Sequence, residues 1–369
     1  MDRTAGSAGH EKMIVSGVMP FKSQNQLAVN GISGKDLIAQ TSWIWEEWQD
    51  KMITMKIILV NPRGFCAGVN MAISTVEEAL KIVGTPLYVY HEIVHNRHVV
   101  EHFKEQGVVF VDGIDEVPPD STIIFSAHGV SPEVRNAAKA RNCTMIDATC
   151  PLVTKVHMEA IRYAKQGYKL LLVGHAGHDE VVGTVGEAPD AFSIVESPED
   201  VEKLPFTTEE QDQLVYLTQT TLSMDDANII IDAIKKRYPG IKKPPSEDIC
   251  YATTNRQTAV RALCEQSDLV LVVGSKNSSN SVRLTEISEN TGTPAYLVDD
   301  KTEMDHSWFE GVDSLLLTAG ASAPEHLVRE IVEELVAKYG GEVEESHVVE
   351  EDVHFNLPRS LRVLQESCS

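Results

Sequence analysis

A chain of 369 residues with 42% hydrophobic and 24% charged residues has the make-up of a globular protein, long enough for two or three domains. Its formal net charge of −23 argues against nonspecific binding to nucleic acid or to anionic membranes. No apolar run reaches the ~18 residues of a transmembrane helix. The 6 cysteines are too widely spaced for a small disulfide framework and follow no secretory signal, so a reducing, cytoplasmic setting is expected.

In chain order, residues 1–54 come first. They carry mixed charge and the tryptophans Trp43, Trp45 and Trp48, lack the pattern of a transit peptide, and read as an extension outside the core. Residues 56–60 read as a buried strand and 70–83 as a helix. Between them lies Asn61-Pro62-Arg63-Gly64-Phe65-Cys66-Ala67-Gly68-Val69, which puts Cys66 where a strand ends and a helix begins. Cys150, in Asp147-Ala148-Thr149-Cys150-Pro151, and Cys250, in Asp248-Ile249-Cys250-Tyr251, have the same setting. There a thiol meets unsatisfied N–H groups and the positive end of a helix dipole, which are expected to lower its pKa and suit it to metal. Cys143 and Cys264 read as packing, and Cys368 as part of an unordered tail.

One unit recurs three times. From each cysteine to the polar residue that opens a later helix the count is 29 (Cys66 to His95), 28 (Cys150 to His178) and 28 (Cys250 to Ser278). Each unit adds a second strand that runs into a polar loop. These are Phe125-Ser126-Ala127-His128-Gly129, Thr218-Gln219-Thr220-Thr221 and Thr318-Ala319-Gly320-Ala321-Ser322. Apolar strands alternating with helices imply parallel sheets with helical cover, and ligands in such sheets gather beyond the carboxyl ends of the strands. The expected fold is α/β: three similar units in a pseudo-threefold trefoil around a shared centre. The expected boundaries are 55–148, 149–247 and 248–338, with 339–369 as a C-terminal clasp and tail.

Three convergent cysteines without a fourth suggest a metal centre with one open position. A closed zinc site calls for four ligands, often in close pairs, whereas thiolates at long separations suit an iron–sulfur cluster. In a [4Fe–4S] cluster three irons would take Cys66, Cys150 and Cys250, leaving the fourth open to substrate oxygen. The plainer reading is three buried structural cysteines, which the shared register argues against. Histidines, hydroxyls and an amide near helix N-termini can bind an anion without Lys or Arg. Ser278-Ser279-Asn280 alone would read as a helix cap, and Glu180 alone as a first-turn carboxylate. His91, His98, His102 and His157 have no repeat partners and read as structural or exposed. Arg63, Arg97 and Lys155 could serve in interdomain ion pairs or at a ligand.

These stretches carry a resemblance. The Cys66 motif, Val94-His95-Asn96-Arg97, Gly174-His175-Ala176-Gly177-His178, Ile249-Cys250-Tyr251-Ala252-Thr253 and Gly274-Ser275-Lys276-Asn277-Ser278, with the loops above, resemble the LytB/IspH family of 4-hydroxy-3-methylbut-2-enyl diphosphate reductases. The resemblance spans residues 55–362 with no motif missing. It implies an oxidoreductase that acts last in the non-mevalonate isoprenoid route and uses electrons from a ferredoxin or flavodoxin-type donor. Its implied cofactor is a [4Fe–4S] cluster on Cys66, Cys150 and Cys250 with one open iron. It further implies diphosphate binding by His95, His128, Ser278, Ser279, Asn280 and Ser322, and proton donation by Glu180, with His178 and Thr220 beside it. Two competitors remain. A hydro-lyase with an open-iron cluster would consume no electrons, and an iron–sulfur sensor would need an effector domain. A chain starting at Met55 is expected to keep its iron and its turnover. Aggregation or iron loss on truncation would instead place the tryptophans of 1–54 against the core.

Overall fold

The computed structural model describes residues 55–368, so the reading of 1–54 lies outside the described residues. Each strand pair joined in a ladder is parallel. The chain opens with β1 (Lys56–Asn61). A first sheet follows, built from β2 (Leu87–Tyr90), β3 (Val108–Val111), β4 (Thr122–Phe125) and β5 (Thr144–Asp147) in the order β3-β2-β4-β5. The second holds β6 (Lys169–Val173), β7 (Phe192–Val195) and β8 (Leu214–Thr218) in the order β7-β6-β8. The third adds β9 (Leu269–Val273), β10 (Ala295–Val298), β11 (Ser314–Ala319) and β12 (Val343–His347) to β1, in the order β10-β9-β11-β1-β12.

The strands are short, nearly unbroken apolar runs because both faces of each sheet are covered. In β9 every residue from Leu269 to Val273 is buried. Alternate side chains go to opposite faces, so one sheet supplies two cores. In the third sheet Ile57, Leu59, Leu271 and Leu315 fill one side, and Ile58, Val60, Val270 and Leu316 the other.

The repeat reading needs one correction. By chain order β1 was expected in the unit 55–148, but it pairs with β11 and so belongs to the third sheet. There it occupies the place β5 takes beside β4 in the first sheet. Parallel pairing sets no condition on chain order, so the first strand of the chain closes the last unit. In the second unit the equivalent place is held only by a single bridge between Val215 and Lys242. Cys250 therefore follows a loop rather than the strand its sequence setting suggested.

The C-terminal stretch acts as a clasp. β12 pairs with β1, and the helix Arg359–Cys368 lies on the first unit, where Leu361 is fully buried among Ala72, Val76 and Ile146. Cys368, expected in an unordered tail, ends that helix. Among the described residues no helix is long and apolar enough to cross a membrane.

Candidate active site

All three candidate thiols are helix N-caps. Cys66 precedes the helix Ala67–Val83, Cys150 precedes Pro151–Lys165, and Cys250 precedes Tyr251–Leu263. The Cys66 and Cys250 sulfurs accept from backbone N–H groups three residues on, at 3.5 and 3.4 Å. Pro151 fills the first turn of the second helix, where its missing donor costs nothing. The loop before Cys66 is pinned by buried Arg256, which donates to the Gly64 carbonyl at 2.7 Å and pairs with Glu351 of the clasp at 3.0 Å. Gly64 has a φ of +66°, and a Cβ there would lie 3.2 Å from the Ala323 carbonyl oxygen, so the turn needs glycine.

The thiols meet across unit boundaries. A Cβ on Gly68 would stand 2.7 Å from the Cys150 sulfur and 3.8 Å from that of Cys66, so this glycine leaves room beside both. Burial pushes the Cys150 thiol up to about 12 and the Cys250 thiol up to about 11, and the charge of Cys66 adds to both. This corrects the expectation of lowered pKa values. For free thiols desolvation outweighs the helix ends, and a bound metal would reverse the balance. Among the described residues, the one trio of His, Cys and carboxylate ligand atoms all within 4.8 Å of one another is His95, His128 and Asp179. The three sulfurs are thus more widely spread than ligands of one tetrahedral ion, whose ~2.3 Å bonds put sulfurs roughly 3.8 Å apart. Three convergent thiols at helix N-termini, with a glycine leaving room beside Cys150 and Cys66, fit an iron–sulfur cluster.

The polar loops converge at the same carboxyl ends. His95 and His128 stack with ring centroids 3.9 Å apart, and His178 meets them edge-on at 5.4 and 5.9 Å. Burial, then the charges of His95 and His178, hold His128 well below its ordinary pKa. Burial, then the charge of His95, brings His178 down to about 4. Both are therefore neutral at pH 7 and offer hydrogen bonds rather than charge. The third unit closes on them. The Ser322 hydroxyl donates to the His95 carbonyl at 2.8 Å and lies 3.4 Å from that of Ser278. Asn280 accepts from the Ala321 N–H at 2.9 Å and donates to Thr253 at 3.4 Å, whose hydroxyl is 3.2 Å from the Cys250 sulfur. The Ser279 hydroxyl donates to the Thr221 carbonyl at 3.1 Å, so its proton is used to join the second and third units.

Glu180 is the second residue of the helix Asp179–Gly186, two after its cap, His178, and is 2% exposed. Its carboxyl accepts from the Thr220 N–H at 2.7 Å and from the Thr220 hydroxyl at 2.9 Å. Burial pushes its pKa up to about 7 against those two bonds, and the charge of Asp248 adds to the rise. A carboxylic acid that keeps its proton near neutrality suits general acid chemistry.

Several partners of the site were not legible in the sequence. Glu92 bonds His95 Nδ1 at 3.1 Å and takes a hydrogen bond from Asn277 at 2.8 Å. Tyr251 accepts from the Ala67 N–H at 3.1 Å, tying the Cys250 helix to the Cys66 helix. Glu92 stands three residues before His95 and Asn277 one before Ser278, which is the only signal either offers. His91, read as structural or exposed, lies 2.9 Å from Asp179. His98 pairs with Asp300 at 2.9 Å, and His157 with Glu187 at 2.9 Å. Arg63, Arg97 and Lys155 pair with Glu325, Asp300 and Asp248 at 2.7, 2.9 and 3.0 Å, which accounts for them as ion pairs.

Three α/β units that bring thiols, imidazoles and a buried carboxyl to one centre define a metal-centred α/β enzyme. Comparison with known proteins narrows the class. Residues 57–336 match the family described as LytB protein. The 4-hydroxy-3-methylbut-2-enyl diphosphate reductase of Rhodopirellula baltica is 55% identical over 84% of this chain and 97% of its own length. That of Escherichia coli O1:K1 is 53% identical over 84% of this chain and 98% of its own. Among solved structures, the E-1-hydroxy-2-methyl-but-2-enyl-4-diphosphate reductase from Plasmodium falciparum superposes with a TM-score of 0.83 at 41% identity, covering 85% of this chain and 99% of that one. A structure of (E)-4-hydroxy-3-methyl-but-2-enyl diphosphate reductase gives 0.56 at 30% identity, covering 77% and 100%. The chain belongs to the LytB family of iron–sulfur oxidoreductases and has its trefoil α/β fold.

Proposed function

We propose that this chain reductively removes the hydroxyl of 4-hydroxy-3-methylbut-2-enyl diphosphate, giving isopentenyl and dimethylallyl diphosphate, the last step of the non-mevalonate isoprenoid route. The observation that carries this reading is the place of Glu180. It is a buried acid whose charge acts on the Cys250 thiol and whose pKa is pushed up to about 7 by burial. Cys66, Cys150 and Cys250 are the residues that would hold a [4Fe–4S] cluster with one open iron. When bound, that group would pass on, one at a time, two electrons from an external donor and would offer a Lewis-acidic iron for the hydroxyl.

The chain's own residues do the rest. Loss of the hydroxyl as water and closure of the allyl fragment together consume two electrons and two protons. Glu180 holds a proton at the carboxyl that Thr220 keeps in place, and Thr220 Oγ1 extends its reach toward the departing oxygen. His178 caps the same helix by accepting from the Glu180 N–H at 3.2 Å, so acid and imidazole are set by one turn. His95, His128, Ser278, Asn280 and Ser322 present imidazole, hydroxyl and amide groups to the diphosphate, with Ser279 beside them. The N-terminus of the helix Ser279–Asn290 adds its dipole. Asn280→Ala and His128→Ala are each expected to weaken binding of the diphosphate product by about 1–3 kcal/mol, because a charged oxygen is left unpaired. Titration calorimetry checks this, and unchanged affinity in both would exclude the pocket.

Electrons would come from a ferredoxin or flavodoxin-type protein in the cytoplasm. Such donors are acidic, so with a formal charge of −23 here the contact would have to be a locally basic patch. Anaerobic reconstitution, iron and sulfide counting, and turnover with a reduced dye test the whole reading. Two electrons per product are expected, and product formation with no electron uptake would make the protein a hydro-lyase.

A further inference from the structure

Asp179 precedes Glu180 on the same helix turn and reaches into the first unit. Its Oδ1 lies 2.9 Å from His91 Nδ1 and its Oδ2 4.0 Å from His128 Nδ1. His91 follows β2 directly and His128 follows β4, so one carboxylate from the second unit faces two loops of the first. The contact is built rather than incidental. His91 has a φ of +55°, uncommon for a residue with a Cβ, and its ring stacks on Tyr90 with centroids 4.1 Å apart. Its N–H donates to the Val111 carbonyl at 2.9 Å.

The position poses an electrostatic problem. The ligand atoms of His95, His128 and Asp179 all lie within 4.8 Å of one another. A carboxylate therefore stands beside the two imidazoles assigned above to the diphosphate, and by itself it would repel that ligand. Glu92, on which the charge of Asp179 acts, adds to the negative side. His91 is the group placed to answer it. The hydrogen bond His91 donates to Asp179, then the charge of Asp179 and the contacts with Asp112, raise its pKa against burial, while the charge of His91 in turn reaches His128. The hydrogen bond from His91, then the charges of His91 and His95, hold the Asp179 carboxyl below the usual range in spite of burial.

We infer that Asp179 and His91 are a charge-compensated pair at the wall of the pocket: His91, hydrogen-bonded to Asp179, cancels the carboxylate that stands 4.0 Å from His128 Nδ1, so that the pocket still accepts a diphosphate, while His128 Nδ1 meets the Ser126 hydroxyl at 3.3 Å and Nε2 is left for the anion. The pair also docks the Glu180 helix onto the first unit. This rests on the diphosphate reading of the pocket.

The test is calorimetric titration of the holoenzyme with inorganic diphosphate, with iron content checked in each variant. His91→Gln keeps a hydrogen bond to Asp179 but removes the positive charge, and is expected to weaken binding about tenfold. Adding Asp179→Asn removes the uncompensated charge and should restore affinity to within about threefold of the parent. A purely structural role would leave the double variant at least as weak as His91→Gln, and that result overturns the inference. Should His91→Gln lose its iron, comparing Asp179→Asn with the double variant carries the same test. No difference is expected there, and a tenfold gap overturns the inference. If the parent itself fails to bind inorganic diphosphate, the pocket reading falls and takes the pair with it. If the parent binds and His91→Gln binds equally, the pair alone is wrong.

Discussion

Replacing Glu180 with Gln is expected to lower turnover about 10²-fold or more while the cluster and substrate affinity stay near those of the parent. The amide keeps the size of the side chain and can still accept from the Thr220 N–H, now 2.7 Å from Oε1. It has no acidic proton to give when the carbon–oxygen bond breaks. The pH profile supplies a second readout. Burial pushes the Glu180 pKa up to about 7, and the competent form carries the proton. That form is present below about 7 and lost above it, so turnover should fall as pH rises through that value, and the Gln variant should lack this limb. Steady-state rates measured beside the cluster's absorbance decide the matter. A Gln variant with parent turnover removes Glu180 from the chemistry, and one without iron makes its role structural.

Cys66→Ser, Cys150→Ser and Cys250→Ser should each lose the cluster, or hold it unstably, and lose activity. A serine oxygen is a poor replacement for a soft thiolate toward iron. Three convergent sulfurs also leave no spare ligand, since the other described cysteines with placed side chains are remote. Cys143 packs with Val111 and Phe125 in the first unit, and Cys264 with Val260 and Val270 in the third. Changing Cys143, Cys264 or Cys368 should leave iron and sulfide per chain at the parent level. Iron loss in Cys143→Ser with retention in Cys66→Ser would reverse the ligand assignment.

Much of this was legible in the sequence because it is periodic. Apolar runs such as Leu170-Leu171-Leu172-Val173 require strands covered on both faces, and such strands pair in parallel through helical crossovers. The repeated spacing from cysteine to polar loop then puts Cys66, Cys150, Cys250, His95, His178 and Ser278 at carboxyl ends, whatever the details of packing. The motifs did the remainder by resemblance, which is how Glu180 and Thr220 received roles before any distance was known.

What the sequence could not decide is whatever depends on a partner far along the chain. The placing of β1 in the third sheet is one case: its pairing with β11 bridges residues such as Ile57 and Leu315, and nothing local in residues 56–60 selects that neighbour. The thiol pKa values are another. A helix N-terminus lowers a thiol, but the depth of burial that pushes Cys150 up to about 12 is a property of three units closing together. The His91–Asp179 contact is a third. A charged pair 88 residues apart leaves no trace in hydrophobic period or capping pattern, and it exists only because the first two units meet at the ends of their strands. Local chemistry and repetition set the elements and the direction in which they point. Desolvation and long-range charge, which decide how the site titrates, arise only once the units are packed.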